Sequence, residues 1–346
     1  MLNQWTVQDL YNEAWLAYVS LDKHKRGERM RVNTDPTLTS SVDRSQKTST
    51  TFPLKRLFNR EMWIGYVFLL PSFFLFIVFL FYPLIKSVYL SFQLTDPKGQ
   101  VVEYVGFENY VQLFTNPYFL QTLKVTGLFI LYTVPTTILL ALPVAYLSHQ
   151  AIRGKRLFQF AFSLPLAISV ATGSVIWALL FNPTMGMLNA ILGYVHLPPV
   201  FWLSDPNTAL FSVALMTVWL NFGFAFIILL GGLQTVPEEL FESARIDGAG
   251  LWRSFYHVAL PLITPNLFFL LVISLIGALQ AFGQIHLLTQ GGPMNATNVL
   301  VYNIYLEAFR DYRFGTGSAQ ALFLFFVVLI VTLLQFRYLE KKVHYQ

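Results

Sequence analysis

Apolar runs long enough to cross a lipid bilayer follow one another along this chain from Arg60 onwards. A helix that spans the hydrocarbon core needs about 20 consecutive, largely apolar residues. Six segments meet that requirement: Trp63–Leu90, Phe119–Leu147, Leu157–Phe181, Thr208–Leu233, Leu262–Leu288 and Ala319–Phe336. Several of them contain proline, which membrane helices tolerate where neighbouring groups satisfy the freed backbone. The sequence therefore predicts an all-α integral membrane protein with about six transmembrane helices.

The overall composition agrees with a membrane location. Of the 346 residues, 55% are hydrophobic and only 12% are charged, whereas a soluble domain carries about a quarter charged residues. The mean hydropathy is +0.54. The absence of cysteine excludes disulfides, thiol nucleophiles and cysteine metal sites.

The first sixty residues differ from the rest of the chain. Residues 23–31 are strongly basic, and residues 33–51 are rich in serine and threonine without hydrophobic periodicity. Such a composition cannot bury a core and is typical of disorder. These residues contain no apolar segment of the kind that predicts a cleavable signal peptide. A true start of the protein at Met30 is an open alternative. We expect a largely disordered cytoplasmic extension over 1–60 and a membrane domain over 61–346.

The positive charges indicate how the membrane domain is oriented. Most of the 23 lysines and arginines lie in four places: before the first apolar run, after the second, after the fourth and after the sixth. Cytoplasmic loops carry an excess of these residues. With six spans both termini lie on one side, so the sequence predicts a multi-pass protein of a bacterial or archaeal plasma membrane, the inner membrane where there are two, with both termini in the cytoplasm.

Several function classes are disfavoured by what the sequence lacks. None of the six runs contains Asp or Glu, although ion-coupled carriers usually need carboxylates inside the membrane. No G-x-x-x-x-G-K-[ST] loop is present to hold ATP phosphates, and the six histidines form no H-E-x-x-H motif. We therefore expect no catalytic residues, no metal site and no nucleic-acid partner. An ion-coupled carrier and a non-transporting scaffold are the alternative functions.

The link between the fourth and fifth runs, 234–261, has the pattern of a helix, a turn and a second helix. Pro237 suits the first position of a helix, and the pair Glu238-Glu239 is favoured there by the helix dipole. Gly248 and Gly250 allow a sharp reversal. One face of the first helix is apolar: Leu240, Phe241, Ala244 and Ile246. From these residues alone, a hairpin lying on the membrane and a docking element for another protein are equally open.

One segment of this loop resembles a known family. Residues 242–250 read E-S-A-R-I-D-G-A-G, and Leu260-Pro261 follows. This is similar to the coupling loop of binding-protein-dependent ABC importer permeases, in which the helix sits in a groove of the ATPase subunit and transmits its closure. The resemblance implies seven coupling residues: Glu242, Ser243, Ala244, Asp247, Gly248, Ala249 and Gly250. Ser243 departs from the alanine that is usual in that family.

Other segments resemble the carbohydrate-uptake branch of that family, to which maltose permeases and the A subunit of glycerol-3-phosphate permeases belong. They are T-Q-G-G-P-M-N-A-T (Thr289–Thr297), Phe181-Asn182-Pro183, Asp96-Pro97 and the end of the chain from Gln335. The resemblance implies a type I importer fold with a second permease, two ATP-binding subunits and an extracytoplasmic solute-binding protein. ATP and Mg²⁺ are then expected in the ATPase subunits, with no cofactor on this chain.

Polar residues in the fourth and fifth runs are candidates for the solute pathway. A polar solute needs hydrogen-bonding groups near the middle of the membrane. Alignment with maltose-type permeases and the local polarity together indicate eight residues: Thr217, Leu220, Asn221, Phe224, Ser274, Ala278, Gln280 and Gln284. For Asn221 and Gln280 we favour a role in the pathway. For Thr217 and Ser274 we favour packing between helices, which is common for hydroxyl side chains in membranes.

The charge of the solute is left open by the sequence. A phosphate group would normally recruit arginine or lysine, and none lies in the middle of any predicted span. A neutral sugar or polyol therefore fits the sequence at least as well as glycerol-3-phosphate.

Overall fold

The computed structural model describes residues 60–150 and 154–339, with side chains from Gly65 to Gln150 and from Gly154 to Arg337. The chain divides after Phe68 into two units, and the contacts below concern the second of them. The extension predicted over 1–60 lies outside the described residues, apart from Arg60.

The described residues are mostly helical. In chain order the α-helices are α1 (Arg60–Phe76), α2 (Tyr82–Leu90), α3 (Glu108–Thr115), α4 (Pro117–His149), α5 (Lys155–Ser163), α6 (Val170–Leu180), α7 (Met187–Tyr194), α8 (Ala209–Gln234), α9 (Glu238–Ile246), α10 (Leu251–Ser254), α11 (Leu260–Leu262), α12 (Thr264–Leu279), α13 (Gly283–Leu288), α14 (Leu300–Tyr305) and α15 (Phe314–Leu339). Short π-helical segments are Ile77–Phe81, Phe255–Ala259 and Leu306–Arg310, and Leu164–Ala167 is a 3₁₀ turn. The two strands are β1 (Gln93–Thr95) and β2 (Val101–Tyr104).

Four of the predicted spans are confirmed as long apolar helices. They are Gly65–Leu90, Pro117–His149, Ala209–Gln234 and Phe314–Arg337. A helix of 26 residues is about 39 Å long, which is enough to cross the hydrocarbon core. The last helix begins at Phe314 rather than at the predicted Ala319, because the weak helix formers Gly315 and Gly317 obscure its start.

The other two predicted spans correspond to bent helix pairs, which bring the number of candidate spans in the described residues to six if each pair is one span. The predicted span Leu157–Phe181 is bent by 102° between Ala167 and Val170. Pro165 lies in the 3₁₀ turn before the bend, where its ring cannot continue an α-helical ladder. Ser169 then caps the next helix, because its Oγ accepts a hydrogen bond from the Thr172 N–H at 3.2 Å.

The predicted span Leu262–Leu288 also belongs to a bent helix pair, and its main helix ends earlier than predicted. The helical segment Leu251–Leu262 meets Thr264–Leu279 at 71°, and Pro265 stands in the first turn of the second helix. That helix ends at Leu279, and the short helix α13 is separate from it. Proline suits the first turn of a helix, because the N–H it lacks would have no partner there. It cannot continue a straight α-helix from the preceding segment.

Helices α4 and α8 form the centre of the packing in the described region. Ala141, Ala145 and Ala225 are fully buried between large apolar side chains, Phe226 and Leu229 among them. Small residues allow two membrane helices to approach closely. The threonines of α4 satisfy their hydroxyls within the helix: Thr133 Oγ1, for example, donates to the Phe129 carbonyl at 2.7 Å.

The chain before α4 forms a small β-hairpin that the all-α prediction missed. Strands β1 and β2 pair antiparallel, and each is too short to give a strand pattern in the sequence. The two strands are joined by a turn at Asp96-Pro97-Lys98-Gly99. Asp96 Oδ1 accepts hydrogen bonds from the backbone N–H groups of Lys98 and Gln100, and Gly99 has a φ of +77°.

The segment between α6 and α8 is folded around Asn189. The Asn189 Nδ2 group donates to the carbonyls of Pro183 and Val200, both at 3.0 Å. Its Oδ1 accepts from the Val200 N–H at 3.1 Å and from the Trp202 indole at 2.9 Å. One amide therefore satisfies four backbone or side-chain groups, and this holds the segment in a defined shape.

The approach of α8 to the bent segment gives a testable prediction. A Cβ atom at Gly223 would lie 2.8 Å from the Leu166 backbone nitrogen, so Gly223→Ala overpacks this contact at a cost of about 1–3 kcal/mol. We expect a lower melting temperature for the purified protein in detergent. The matched control is Gly231→Ala in the same helix, where a Cβ atom meets nothing within 4 Å. Equal melting temperatures for the two variants would contradict this packing.

Candidate functional site

The bend before α6 opens one wall of a cavity against α8. The cavity has a volume of about 380 Å³. Its lining residues come from both sides of the bend, from one face of α8, and from α12 and α13: Pro165, Leu166, Ile168, Val170, Thr217, Leu220, Asn221, Phe224, Ile273 and Gln284. None of these residues is charged, so the cavity is an uncharged pocket with a few polar groups.

Five of the eight predicted pathway residues line this cavity: Thr217, Leu220, Asn221, Phe224 and Gln284. The first four follow helical spacing and therefore share one face of α8. The side-chain amides of Asn221 and Gln284 have no hydrogen-bond partner among the described residues. Both amides are thus free to bind a polar molecule in the cavity, although Gln284 is only 8% exposed.

Thr217 lines the same cavity, but its hydroxyl already has an acceptor. Its Oγ1 donates to the Val213 carbonyl at 2.8 Å, and the side chain is 2% exposed. A hydroxyl bonded within its own helix has satisfied its donor and needs no ligand. This geometry agrees with the packing role that we favoured for Thr217.

The other three predicted pathway residues do not line the cavity. Ser274 is half-buried and Ala278 is buried in α12, while Gln280 is the exposed residue that ends this helix. From α12 it is Ile273 that reaches the cavity. The bend residues Pro165, Leu166, Ile168 and Val170 were missed, although Pro165 followed by the capping residue Ser169 is a signal for a break in the helix.

The loop 234–261 has the predicted helix–turn–helix form. Helix α9 begins at Glu238, so Pro237 is the capping residue and not the first helical residue as predicted. The reversal occurs at Gly248, whose φ is +76°, and the Ala249 N–H donates back to the Ala244 carbonyl at 2.8 Å. Such a turn is a common helix ending. Gly250 is extended, so it does not take part in the reversal.

Most of this loop faces away from the rest of the described chain. Of the residues in α9, Phe241 alone is buried, and Ile246, predicted on the apolar face, is 87% exposed. Glu242, Ser243, Asp247, Gly248 and Gly250 are exposed, and Ala244 and Ala249 are half-buried. A Cβ atom at Gly248 would meet nothing within 4 Å. The tip therefore presents small residues together with the apolar Ile246 and the charged Glu242 and Asp247, all open to contact with another molecule.

Two side chains at the end of α4 hold this loop. The Tyr146 hydroxyl donates to the Leu251 carbonyl at 3.0 Å, and the tyrosine ring lies 4.9 Å from the ring of Phe255. The His149 ring lies 5.6 Å from Phe241. Tyr146 and Phe241 are 1% and 3% exposed. These contacts join the loop to the end of the long helix α4.

Comparison with known proteins agrees with this geometry. Residues 125–345 match the family model described as the inner membrane component of binding-protein-dependent transport systems. The chain belongs to this family. It is a permease subunit of an ABC importer and a multi-pass protein of the inner membrane. The resemblance stated from the sequence is thereby confirmed.

Curated relatives of the permease are similar over nearly their whole length. The sn-glycerol-3-phosphate transport system permease protein UgpA of Pectobacterium atrosepticum is 37% identical over 290 residues, which cover 83% of this chain and 97% of the relative. The protein of the same name from Shigella flexneri is 36% identical over the same coverage.

Solved structures of a bacterial alginate ABC transporter share the fold of the permease. The structure in complex with an alginate pentasaccharide-bound periplasmic protein is matched with a TM-score of 0.68 at 27% identity, over 80% of this chain and 93% of the other. A second structure of a bacterial alginate importer gives a TM-score of 0.70 at 26% identity, over 81% and 96% of the two chains.

The attachment of the loop to α4 is open to a direct measurement. Tyr146→Phe removes the hydroxyl that donates to Leu251 and leaves the ring in place, which costs about 0.5–1.5 kcal/mol. We expect faster hydrogen–deuterium exchange in peptides covering residues 240–256 of the purified permease. Tyr256→Phe is the control, because Tyr256 is on the same loop and 57% exposed. If exchange in Tyr146→Phe equals that in the control, the hydroxyl does not hold the loop.

Proposed function

We propose that this permease imports a sugar, a polyol or glycerol-3-phosphate, and that the loop 234–261 couples transport to ATP hydrolysis in a partner. The proposed assembly contains a second, related permease, two ATP-binding subunits and a solute-binding protein outside the cell. ATP and Mg²⁺ are bound by the ATPase subunits, so this chain contributes the pathway and the coupling element without catalysis of its own. Both termini lie in the cytoplasm on this proposal.

The observation that carries the coupling role is the free tip of the loop. An amphipathic hairpin lying on the membrane would place its apolar residues on one lipid-facing side. Instead, small residues form the apex, open space lies above Gly248, and Phe241 and Tyr146 connect the loop to α4. A rigid element that is exposed at one end and anchored to a long helix at the other is suited to pass a partner's movement into the membrane.

The cavity beside the bend supports a polar solute. Two unpaired amides in a pocket with apolar walls are a suitable arrangement for hydroxyl groups, and the ring of Phe224 offers an apolar face. Because no lining residue is charged, this half of the pathway favours a neutral sugar or polyol. The related permeases named above are described for sn-glycerol-3-phosphate, so a phosphate-bearing solute stays within the proposal, with its charge held by other parts of the assembly.

The coupling role predicts the effect of a charge at the apex. Gly248→Asp places a carboxylate where the structure leaves open space, so the permease itself is not overpacked. We expect ATP-dependent uptake in vesicles containing the whole co-expressed importer to fall at least tenfold, because the side chain blocks docking on the ATPase subunit. Expression in the membrane should be unchanged.

The control for this experiment is Gly154→Asp. Gly154 has a φ of +80° with nothing within 4 Å of its Cβ position, so it reproduces both the backbone strain and the added charge. Uptake in this control should resemble that of the wild type. Wild-type uptake by the importer carrying Gly248→Asp would contradict the coupling role of the loop.

The pathway role predicts different effects for two amides. Asn221→Leu removes an unpaired amide from the cavity, so we expect a raised KM for uptake by the whole importer, or lost uptake. Gln280→Leu is the comparison, because Gln280 lies outside the cavity. A selective effect of Asn221→Leu supports this cavity as the pathway. Equal losses in both variants would indicate that the pathway extends beyond this cavity and includes Gln280. Wild-type uptake in both variants would contradict the assignment of the cavity to the pathway.

A further inference from the structure

A second cavity in the permease has no part in the proposed pathway. It has a volume of about 650 Å³ and lies between the β-hairpin, helix α3 and the first turn of α15; we call it the hairpin cavity. It is at the Pro117 end of α4, while the coupling loop is at the His149 end. A helix of 33 residues separates these ends by about 50 Å. On the proposed topology the hairpin cavity therefore opens outside the cell.

The walls of the hairpin cavity are held rigidly. Asn109, 4% exposed, donates through Nδ2 to the Ser91 and Gln93 carbonyls at 2.9 and 3.1 Å. The Gly315 N–H donates to Thr95 Oγ1 at 3.3 Å, and a Cβ atom at Gly315 would collide with the Gln93 carbonyl. Hairpin, α3 and α15 thus form one preorganised surface, which lowers the entropic cost of binding a partner.

A polar side chain in the wall has no partner in the described chain. Gln93 is 5% exposed and lines the hairpin cavity. No described residue makes a hydrogen bond to its side-chain amide. That amide is therefore available to a molecule that fills the cavity.

The charge at the hairpin cavity is negative. Glu103 and Glu108 line it, are exposed and form no ion pair with another described residue; Glu108 accepts one hydrogen bond, from Gln112 Nε2 at 3.1 Å. These carboxylates are therefore available to a cation, and the ring of Tyr104, which also lines the cavity and is 70% exposed, offers a face for cation–π contact.

The cation that lines the cavity is already paired. Arg313 lies 3.1 Å from Glu307 and 3.4 Å from Asp311. The hydrogen bond from Arg310 holds the pKa of the Asp311 carboxyl below its ordinary value, so this partner stays ionised at neutral pH. Arg313 therefore does not neutralise Glu103 and Glu108.

We propose that the hairpin cavity receives a lysine or arginine side chain of the solute-binding protein. The inference rests on the proposed function, since it uses the predicted outer location and the binding-protein partner of that assembly. Carboxylates without an ion pair, an exposed tyrosine ring and the side-chain amide of Gln93 match an ammonium or guanidinium group. The same carboxylates repel an anionic solute, so the cavity is unsuited to a phosphate ester or a uronate.

The test measures binding of the solute-binding protein to the whole importer in lipid nanodiscs. Glu103→Gln with Glu108→Gln keeps the shape of the cavity and removes its charge. We expect the Kd for the binding protein to rise about five- to tenfold, with a weaker dependence on salt. Glu103→Lys with Glu108→Lys should raise the Kd further. Lys98→Gln is the control, because Lys98 is exposed on the same hairpin and does not line the cavity; it should bind as the wild type does.

An unchanged Kd for the solute-binding protein in both double variants would overturn the inference. If these variants also lost binding of free sugar to the importer, the hairpin cavity would instead be a solute site. ATP-dependent uptake by the wild-type importer is measured in the same preparation. If the wild-type importer takes up solute and the variants bind normally, only this inference fails and the proposed function is retained. If the wild-type importer shows no ATP-dependent uptake, the proposed function itself is contradicted.

Discussion

The close packing of α4 against α8 is the interaction on which the rest of the described structure depends. Buried alanines let the two helices approach, and large side chains such as Phe226 and Leu229 fill the space around them. The Tyr146 end of α4 holds the loop 234–261, and one face of α8 lines the cavity beside the bend. The loop proposed for coupling and the cavity proposed for the solute therefore contact the same pair of packed helices.

Proline gives the cavity its second wall. The break after the 3₁₀ turn, completed by the cap at Ser169, turns the chain by 102°. Leu166 and Val170 then lie on either side of an opening that faces Asn221. The backbone polarity exposed by such a break is tolerated in a membrane because it lines a cavity.

The sequence predicted the features that depend on local periodicity. Four straight spans follow from apolar length, and the reversal at Gly248 follows from glycine after a helix. The face of α8 that carries Thr217, Leu220, Asn221 and Phe224 follows from helical spacing. The bends were not predicted, because hydropathy measures how apolar a segment is and does not measure its direction. Ser274 and Ala278 were placed by alignment, and only the angle between α12 and its neighbours decides that Ile273 reaches the cavity.

The contacts that hold the loop 234–261 lie on both sides of its tip. Phe241 meets His149 of α4, and Leu251 and Phe255 meet Tyr146 of the same helix. Gly248 lies between these residues in the chain and is exposed. A partner that pushes on the tip would therefore act on a segment whose two flanks are both held by one helix.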